Sequence, residues 1–213
     1  MRIDKHIDKD NWCEIKDILP HITEIKSLNL SYMGLTEFPK MSHITIKYDF
    51  ECYNNKITSF KDCPIVNGTF WCNGNQITSF KNCPQINGNF YCGYNQITSF
   101  KDCPNINGGF RCNNNQITTF KYCPHININF ICWNNPITSF KDCPEIGGHL
   151  YSDFEIFNKV QKYSKEMKIS LLEAQVELYN AQDVAILEHI DKFPDLVAYI
   201  RLKELNKLIY GKN

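Results

Sequence analysis

A twenty-residue period governs the middle of this chain and limits what it can fold into. Ten of the 11 cysteines fall in two columns at that spacing: Cys52, Cys72, Cys92, Cys112 and Cys132, then Cys63, Cys83, Cys103, Cys123 and Cys143. Only Cys13 stands outside them. Five copies of the unit run from Phe50 to His149, each close to Phe-x-Cys-x-x-Asn-x-Ile-Thr-Ser-Phe-Lys-x-Cys-Pro-x-Ile-x-Gly-x. A longer, divergent copy precedes them, with Leu28 and Leu30 in the places of Phe50 and Cys52. A partial copy begins at Leu150, where Ser152 replaces the strand cysteine. A period of this length marks a chain that stacks one small unit on the next, so that each turn touches only its neighbours.

The unit holds one alternating apolar segment, Phe-x-Cys, which predicts one short strand per turn and a parallel stack of strands. A parallel return needs a dozen or more residues, and about sixteen remain in each unit. Pro64, Pro84, Pro104, Pro124 and Pro144, with Gly68, Gly88, Gly108 and Gly148, exclude a helix from that return. Ile128 interrupts the glycine column, so a positive φ is not required there. Phe, Cys and Ile columns point inward. Asn55, Asn75, Asn95, Asn115 and Asn135 follow each strand, and a buried amide must be satisfied. With rungs roughly 4.8 Å apart, each Asn reaches the backbone of a neighbouring turn, a ladder that holds the bend. Six to seven rungs make a slab roughly 30 Å long at that spacing.

The segments Leu28-x-Leu30-x-x-Met33-x-Leu35 and Phe50-x-Cys52-x-x-Asn55-x-Ile57, and the later copies, resemble the leucine-rich repeat in its shortest, 20-residue form. Phe and Cys stand in for Leu. The unit is similar to the helix-free repeats of bacterial effector proteins, and its Asn- and Ile-rich wording is closest to the leucine-rich repeat proteins of giant DNA viruses such as mimivirus. The resemblance spans residues 28–152 and implies an α/β repeat solenoid. Its parallel sheet lies on the concave side, its convex side is extended and free of helices, and helical caps close both ends. Met33 stands where the Asn belongs, which puts the ladder in question at that turn alone.

An exposed repeat end needs a cap. Residues 1–27 form the expected N-terminal helical cap, because Trp12, Ile15, Ile18 and Leu19 recur at helical spacing before Pro20. Residues 28–152 are the solenoid. Residues 153–213 change in composition and read as helices: a first from Phe154 to Tyr163, a second opened by the capping box Ser170-Leu-Leu-Glu173, and a third opened by Pro194 and ended before Gly211. This segment is a C-terminal helical cap or a small docking module.

Several chemistries are excluded or left without residues. Lys plus Arg equals Asp plus Glu at 23 each, so no net basic field draws the chain to nucleic acid or to an anionic membrane. The column Lys61, Lys81, Lys101, Lys121 and Lys141 is offset by Asp62, Asp102 and Asp142 and reads as a solvated, charge-paired edge. The Thr58 to Thr138 column gives only one hydroxyl per rung, thin support for an ordered-water face. No apolar leader or membrane-length run is present, and an intracellular protein is expected. A column of parallel thiols does not converge on a metal, and reduced, buried cysteines that pack as small hydrophobes are the expectation. Some effectors with this repeat type carry a C-terminal ubiquitin-ligase domain with a cysteine nucleophile, but no cysteine follows Cys143 here. No catalytic residue, cofactor or metal ligand is assigned.

The copies differ from one another chiefly on one face. Glu51, Trp71, Tyr91, Arg111, Ile131 and Tyr151 alternate outward from the strands, flanked by Tyr53, Tyr94 and Trp133. A constant framework with one varied, aromatic-rich face suits a rigid recognition surface. These nine residues are the candidate contacts for a partner protein on the concave face. Self-association into a structural assembly is the alternative.

Overall fold

The computed structural model describes residues 1–137, 141–153, 155–181, 183, 186–187 and 190–210. Thr138 and the ends of two expected helices, Phe154 and Gly211, lie outside the described residues. The repeats wind into a β-solenoid whose parallel strands form a ten-stranded sheet.

Each turn contributes to two strips of that sheet. One strip stacks the residue pairs Phe50–Glu51 (β4), Phe70–Trp71 (β6), Phe90–Tyr91 (β7), Phe110–Arg111 (β8), Phe130–Ile131 (β9) and Leu150–Tyr151 (β10), each in register with the next. The other stacks Thr45–Ile46 (β3) and Ile65–Val66 (β5), and single bridges carry it through Ile86, Ile106, Ile126 and Ile146. Strand β2 (Glu24–Asn29) spans both: Ile25 pairs with Ile46, and Leu28 pairs with Phe50. One strand per turn was the sequence expectation. The second strip is missed because a two-residue extended segment is too short to show alternation, although its inward Ile column was in plain view.

The solenoid core is a double file of phenylalanines. Phe50, Phe70, Phe90, Phe110 and Phe130 stack with centroids 5.1, 5.5, 5.6 and 5.4 Å apart. Phe60, Phe80 and Phe100 form a second file at 6.4 Å spacing and meet the first at tilted or edge angles, as in the 6.1 Å contact of Phe80 with Phe90. Offset and edge-on rings avoid face-to-face quadrupole repulsion, and every ring of both files is buried. The strand cysteines Cys52, Cys72, Cys92, Cys112 and Cys132 fill the space beside the first file and are buried. Burial pushes their thiols well above the ordinary range, as it does those of Cys63, Cys83, Cys103, Cys123 and Cys143. All 11 cysteines are free thiols, Cys13 exposed among them.

Three features turn the chain at its corners. Behind each strand the Asn column bonds in two directions: Asn75 Nδ2 donates to the carbonyls of Cys72 and Cys52, each 3.0 Å away, while its Oδ1 accepts the N–H of Ile57. Asn55 does the same for the divergent turn, donating to Leu30 O and accepting from Leu35 N, so Met33 leaves no gap. At a second corner Asp62, Asn82, Asp102, Tyr122 and Asp142 hold φ between 59° and 68°. Asp and Asn tolerate this left-handed backbone, which explains the acidic column better than charge pairing does. Among the described residues, no ion pair joins Lys61, Lys81, Lys101 or Lys121 to it. At the third corner a Cβ on Gly88 would stand 2.5 Å from the Gly68 carbonyl, so glycine is required by the neighbouring turn and not by φ.

Both ends differ in detail from the sequence reading. The helix expected through Trp12 and Leu19 is instead two short 3₁₀ segments, Trp12–Glu14 and Lys16–His21, with Pro20 inside the second and Ile18 exposed. A proline so close to the start leaves too few residues for a stable α-helix. Ahead of them Arg2–Ile7 (β1) pairs in parallel with β2, so the sheet begins at Arg2 and not at Leu28. After the last turn come α1 (Glu155–Met167), α2 (Leu171–Asn180), a 3₁₀ turn (Ile190–Lys192) and α3 (Pro194–Tyr210). Ser170 and Glu173 exchange both bonds of the capping box at the start of α2. Lys165 of α1 donates to the carbonyls of Gly147 and Gly148, and Val160, Ala174, Leu178, Ile186, Phe193 and Leu196 are buried.

Candidate partner-binding face

Strand alternation decides which side chains leave the core. Within each pair of the long strip the first residue, Phe or in the last pair Leu150, is buried and the next faces outward, so Glu51, Trp71, Tyr91, Arg111, Ile131 and Tyr151 stand in one register-aligned row. Beyond each strand pair, backbone bonds such as Cys92 N–H to Arg111 O (2.8 Å) and Tyr94 N–H to Asn113 O (2.9 Å) keep neighbouring turns in step. A second row therefore runs Tyr53, Asn73, Gly93, Asn113 and Trp133.

The two rows enclose a groove of about 320 Å³, and six of the nine predicted contacts line it: Trp71, Tyr91, Tyr94, Arg111, Ile131 and Trp133. Gly93 forms its floor, where a Cβ would stand 2.9 Å from the side-chain oxygen of Asn113. The Trp71 and Tyr91 rings lie 5.6 Å apart at 55°. The Arg111 guanidinium sits 4.9 Å from the Tyr91 centroid, a cation–π contact that fixes its direction. Trp133 and Tyr94 remain 40% and 58% exposed, apolar area left uncovered in a single chain.

The other three predicted contacts lie apart. Tyr53 lines a second recess with His6, Asp8 and Tyr32, and meets Tyr32 edge-on at 5.3 Å. Glu51 sits between recess and groove and accepts from Asn29 Nδ2 at 2.9 Å. Burial raises its carboxyl, against the lowering influence of His6. Tyr151 lines a third recess beside α1, with Lys162 and Lys165. The recess of His6 and Tyr32 was not expected, because β1 brings His6 to the face; Tyr32 was legible as the counterpart of Asn54 once the two-residue insertion in the first turn is allowed for.

Among the described residues no group of three or more His, Cys, Asp or Glu side chains is placed to hold a metal ion. No helix among them is long and apolar enough to cross a membrane. Comparison with protein-family models, with curated proteins and with solved structures finds no match. The likeness to the leucine-rich repeat therefore rests on the residues of the repeat alone.

Proposed function

We propose that this chain is a non-enzymatic interaction module that binds a partner protein through the outward strand face. The observation that carries the reading is the contrast between a repeated core and a varied face. Phe, Cys, Asn and Ile recur turn after turn, while the row Trp71, Tyr91, Arg111 and Ile131 changes at every rung and lines one groove. Trp, Tyr and Arg supply most binding energy at protein interfaces, and here they sit on a rigid frame that loses little freedom when covered. In this reading the coil is a short leucine-rich repeat of the kind found in giant DNA viruses. The β1 and 3₁₀ segment and the C-terminal helices close its ends, and its reduced thiols suit an intracellular compartment.

The test is an affinity capture that compares the wild-type chain with a folded Trp71→Ala, Tyr91→Ala, Trp133→Ala variant. A partner held by the first and lost by the second supports the face. Partners held equally by both overturn it.

A further inference from the structure

The strand-face groove holds one cation and no anion. Arg111 is exposed, holds its guanidinium carbon 4.9 Å from the Tyr91 ring centroid, and forms no ion pair among the described residues. With no carboxylate of the described chain on it, its N–H fork is open to a carboxylate in a two-bond pair. Apolar side chains flank it, Trp71 and Tyr91 on one side and Ile131 and Trp133 on the other, and Asn73 and Asn113 add uncharged polar lining. The one carboxylate of the outward strand row, Glu51, is three rungs away, roughly 14 Å at the usual strand spacing, and is already engaged by Asn29.

A second observation points to a ligand. Asn113, on the same turn as Arg111, is only 8% exposed and lines the groove. Its side-chain amide makes no hydrogen bond within the chain among the described residues. Every Asn of the neighbouring ladder column, by contrast, bonds through both ends of its amide, as Asn115 does to Cys92 O, Cys112 O and Ile97 N. A mostly buried amide that lines a groove with no partner in the chain offers both donor and acceptor to whatever fills it, the complement of a peptide group.

Resting on the interaction reading above, we propose that the groove takes an extended acidic segment of the partner protein. An Asp or Glu carboxylate pairs with Arg111, the adjoining peptide group pairs with the Asn113 amide, and apolar side chains two residues to either side seat against Trp71 with Tyr91 and against Ile131 with Trp133. The spacing agrees. Alternate side chains of an extended chain stand roughly 7 Å apart, and rungs roughly 4.8 Å. Apolar residues at −2 and +2 from the carboxylate thus fall between the Trp71 and Tyr91 rungs and just beyond the Ile131 rung. Single-stranded nucleic acid, which also stacks on aromatic rings, needs a row of cations along its phosphates, and this groove has one.

The test uses the full chain and an array of synthetic heptapeptides with Glu at the centre and Leu, Phe or Tyr at −2 and +2. Matched series carry Gln or Lys at the centre, and a labelled uridine decamer serves as the nucleic-acid probe. Glu peptides are expected to bind at least tenfold more tightly than their Gln counterparts. Arg111→Gln should abolish that difference, and Arg111→Glu should transfer the preference to Lys peptides. Circular dichroism checks that both exposed-site variants keep the fold. Equal binding of Glu and Gln peptides, lost in Trp71→Ala with Trp133→Ala, overturns the acidic segment and leaves the recognition face standing. Binding of no peptide, or tighter binding of the decamer, also overturns it; the affinity capture then judges the broader reading separately.

Discussion

The side-chain oxygen of Asn95 accepts the backbone N–H of Ile77, 3.0 Å away and 18 residues earlier in the chain. The same amide donates to the carbonyls of Cys72 and Cys92 at 3.0 and 3.1 Å, so one buried side chain ties two turns together. Alanine here orphans the buried N–H of Ile77 and takes one of two amide donors from each of the carbonyls of Cys72 and Cys92, which keep Asn75 and Asn115. An orphaned buried donor costs about 1–3 kcal/mol and each lost carbonyl bond about 0.5–1 kcal/mol, so Asn95→Ala is expected to destabilise by about 2–4 kcal/mol after partial relaxation. Urea denaturation checks this, and a loss below about 1 kcal/mol would mean that water replaces the amide.

Gly88 gives a steric prediction with an internal control. Its N–H donates to Gly68 O at 3.1 Å, and an added Cβ would meet that carbonyl at 2.5 Å. Gly88→Ala must push the turns apart, and overpacking of this kind costs about 1–3 kcal/mol. Ile128 occupies the same column with half its surface exposed, and among the described residues the bond from Ile128 N–H to Gly108 O is missing from the series. Ile128→Ala should therefore stay within about 0.5 kcal/mol of wild type. Matched urea midpoints for the two variants would sink the close-approach account.

How far the sequence carries can be judged residue by residue. A fixed period supplies strand register directly, so the Phe90-to-Phe110 pairing and the outward row of Trp71, Tyr91 and Arg111 are legible without coordinates. The Asn column is legible because a polar residue that repeats inside an apolar pattern needs a repeated partner. Features without a clean period are not. Asp49, Asn89 and Asn129 cap the next turn by accepting from Thr69, Gly109 and His149, yet they alternate with other residues and repeat only on every second rung. Strand β1 is hidden for a different reason: its exposed, charged residues carry no alternation, and only pairing with β2 makes it a strand. The Asp62 column reads as charge and acts through backbone geometry.

The thiols predict both reactivity and pH dependence. In the native chain Cys13 alone is exposed, so one thiol should react rapidly with an aromatic disulfide reagent, and all 11 after denaturation without reductant. Burial raises the folded-state pKa, so each thiol's contribution is fully present below the unfolded value of about 8.5 and is lost as pH rises through it. Six thiols are fully buried: Cys52, Cys63, Cys72, Cys92, Cys112 and Cys132. At about 1.4 kcal/mol per pH unit each, they remove roughly 8 kcal/mol by pH ~9.5, comparable to the whole stability of a typical domain. The expected outcome is a steep alkaline unfolding between pH about 9 and 10, made shallower by Cys→Ala substitutions. A urea midpoint that stays flat to pH ~10.5 would contradict it.

Two tyrosines allow stability and recognition to be separated. Tyr94 and Tyr122 hold φ of 54° and 68° at corners where the other turns place Asn, Asp or Gly, Tyr32 of the divergent first turn excepted. A bulky residue in that region carries strain of order 1 kcal/mol, which Asn relieves through its short polar side chain. Tyr122 lies over Lys121, at 5.0 Å, and lines no part of the groove. Tyr122→Asn should therefore gain about 0.5 kcal/mol, the strain relief less an exposed cation–π contact, and leave partner binding unchanged. Tyr94 has no such contact and lines the groove, so Tyr94→Asn should gain about 1 kcal/mol while weakening capture of the partner several-fold. A gain at both sites with binding lost at Tyr94 alone identifies Tyr94 as a strained residue that works at the interface. Equal binding by both variants would place the contact surface outside this part of the groove.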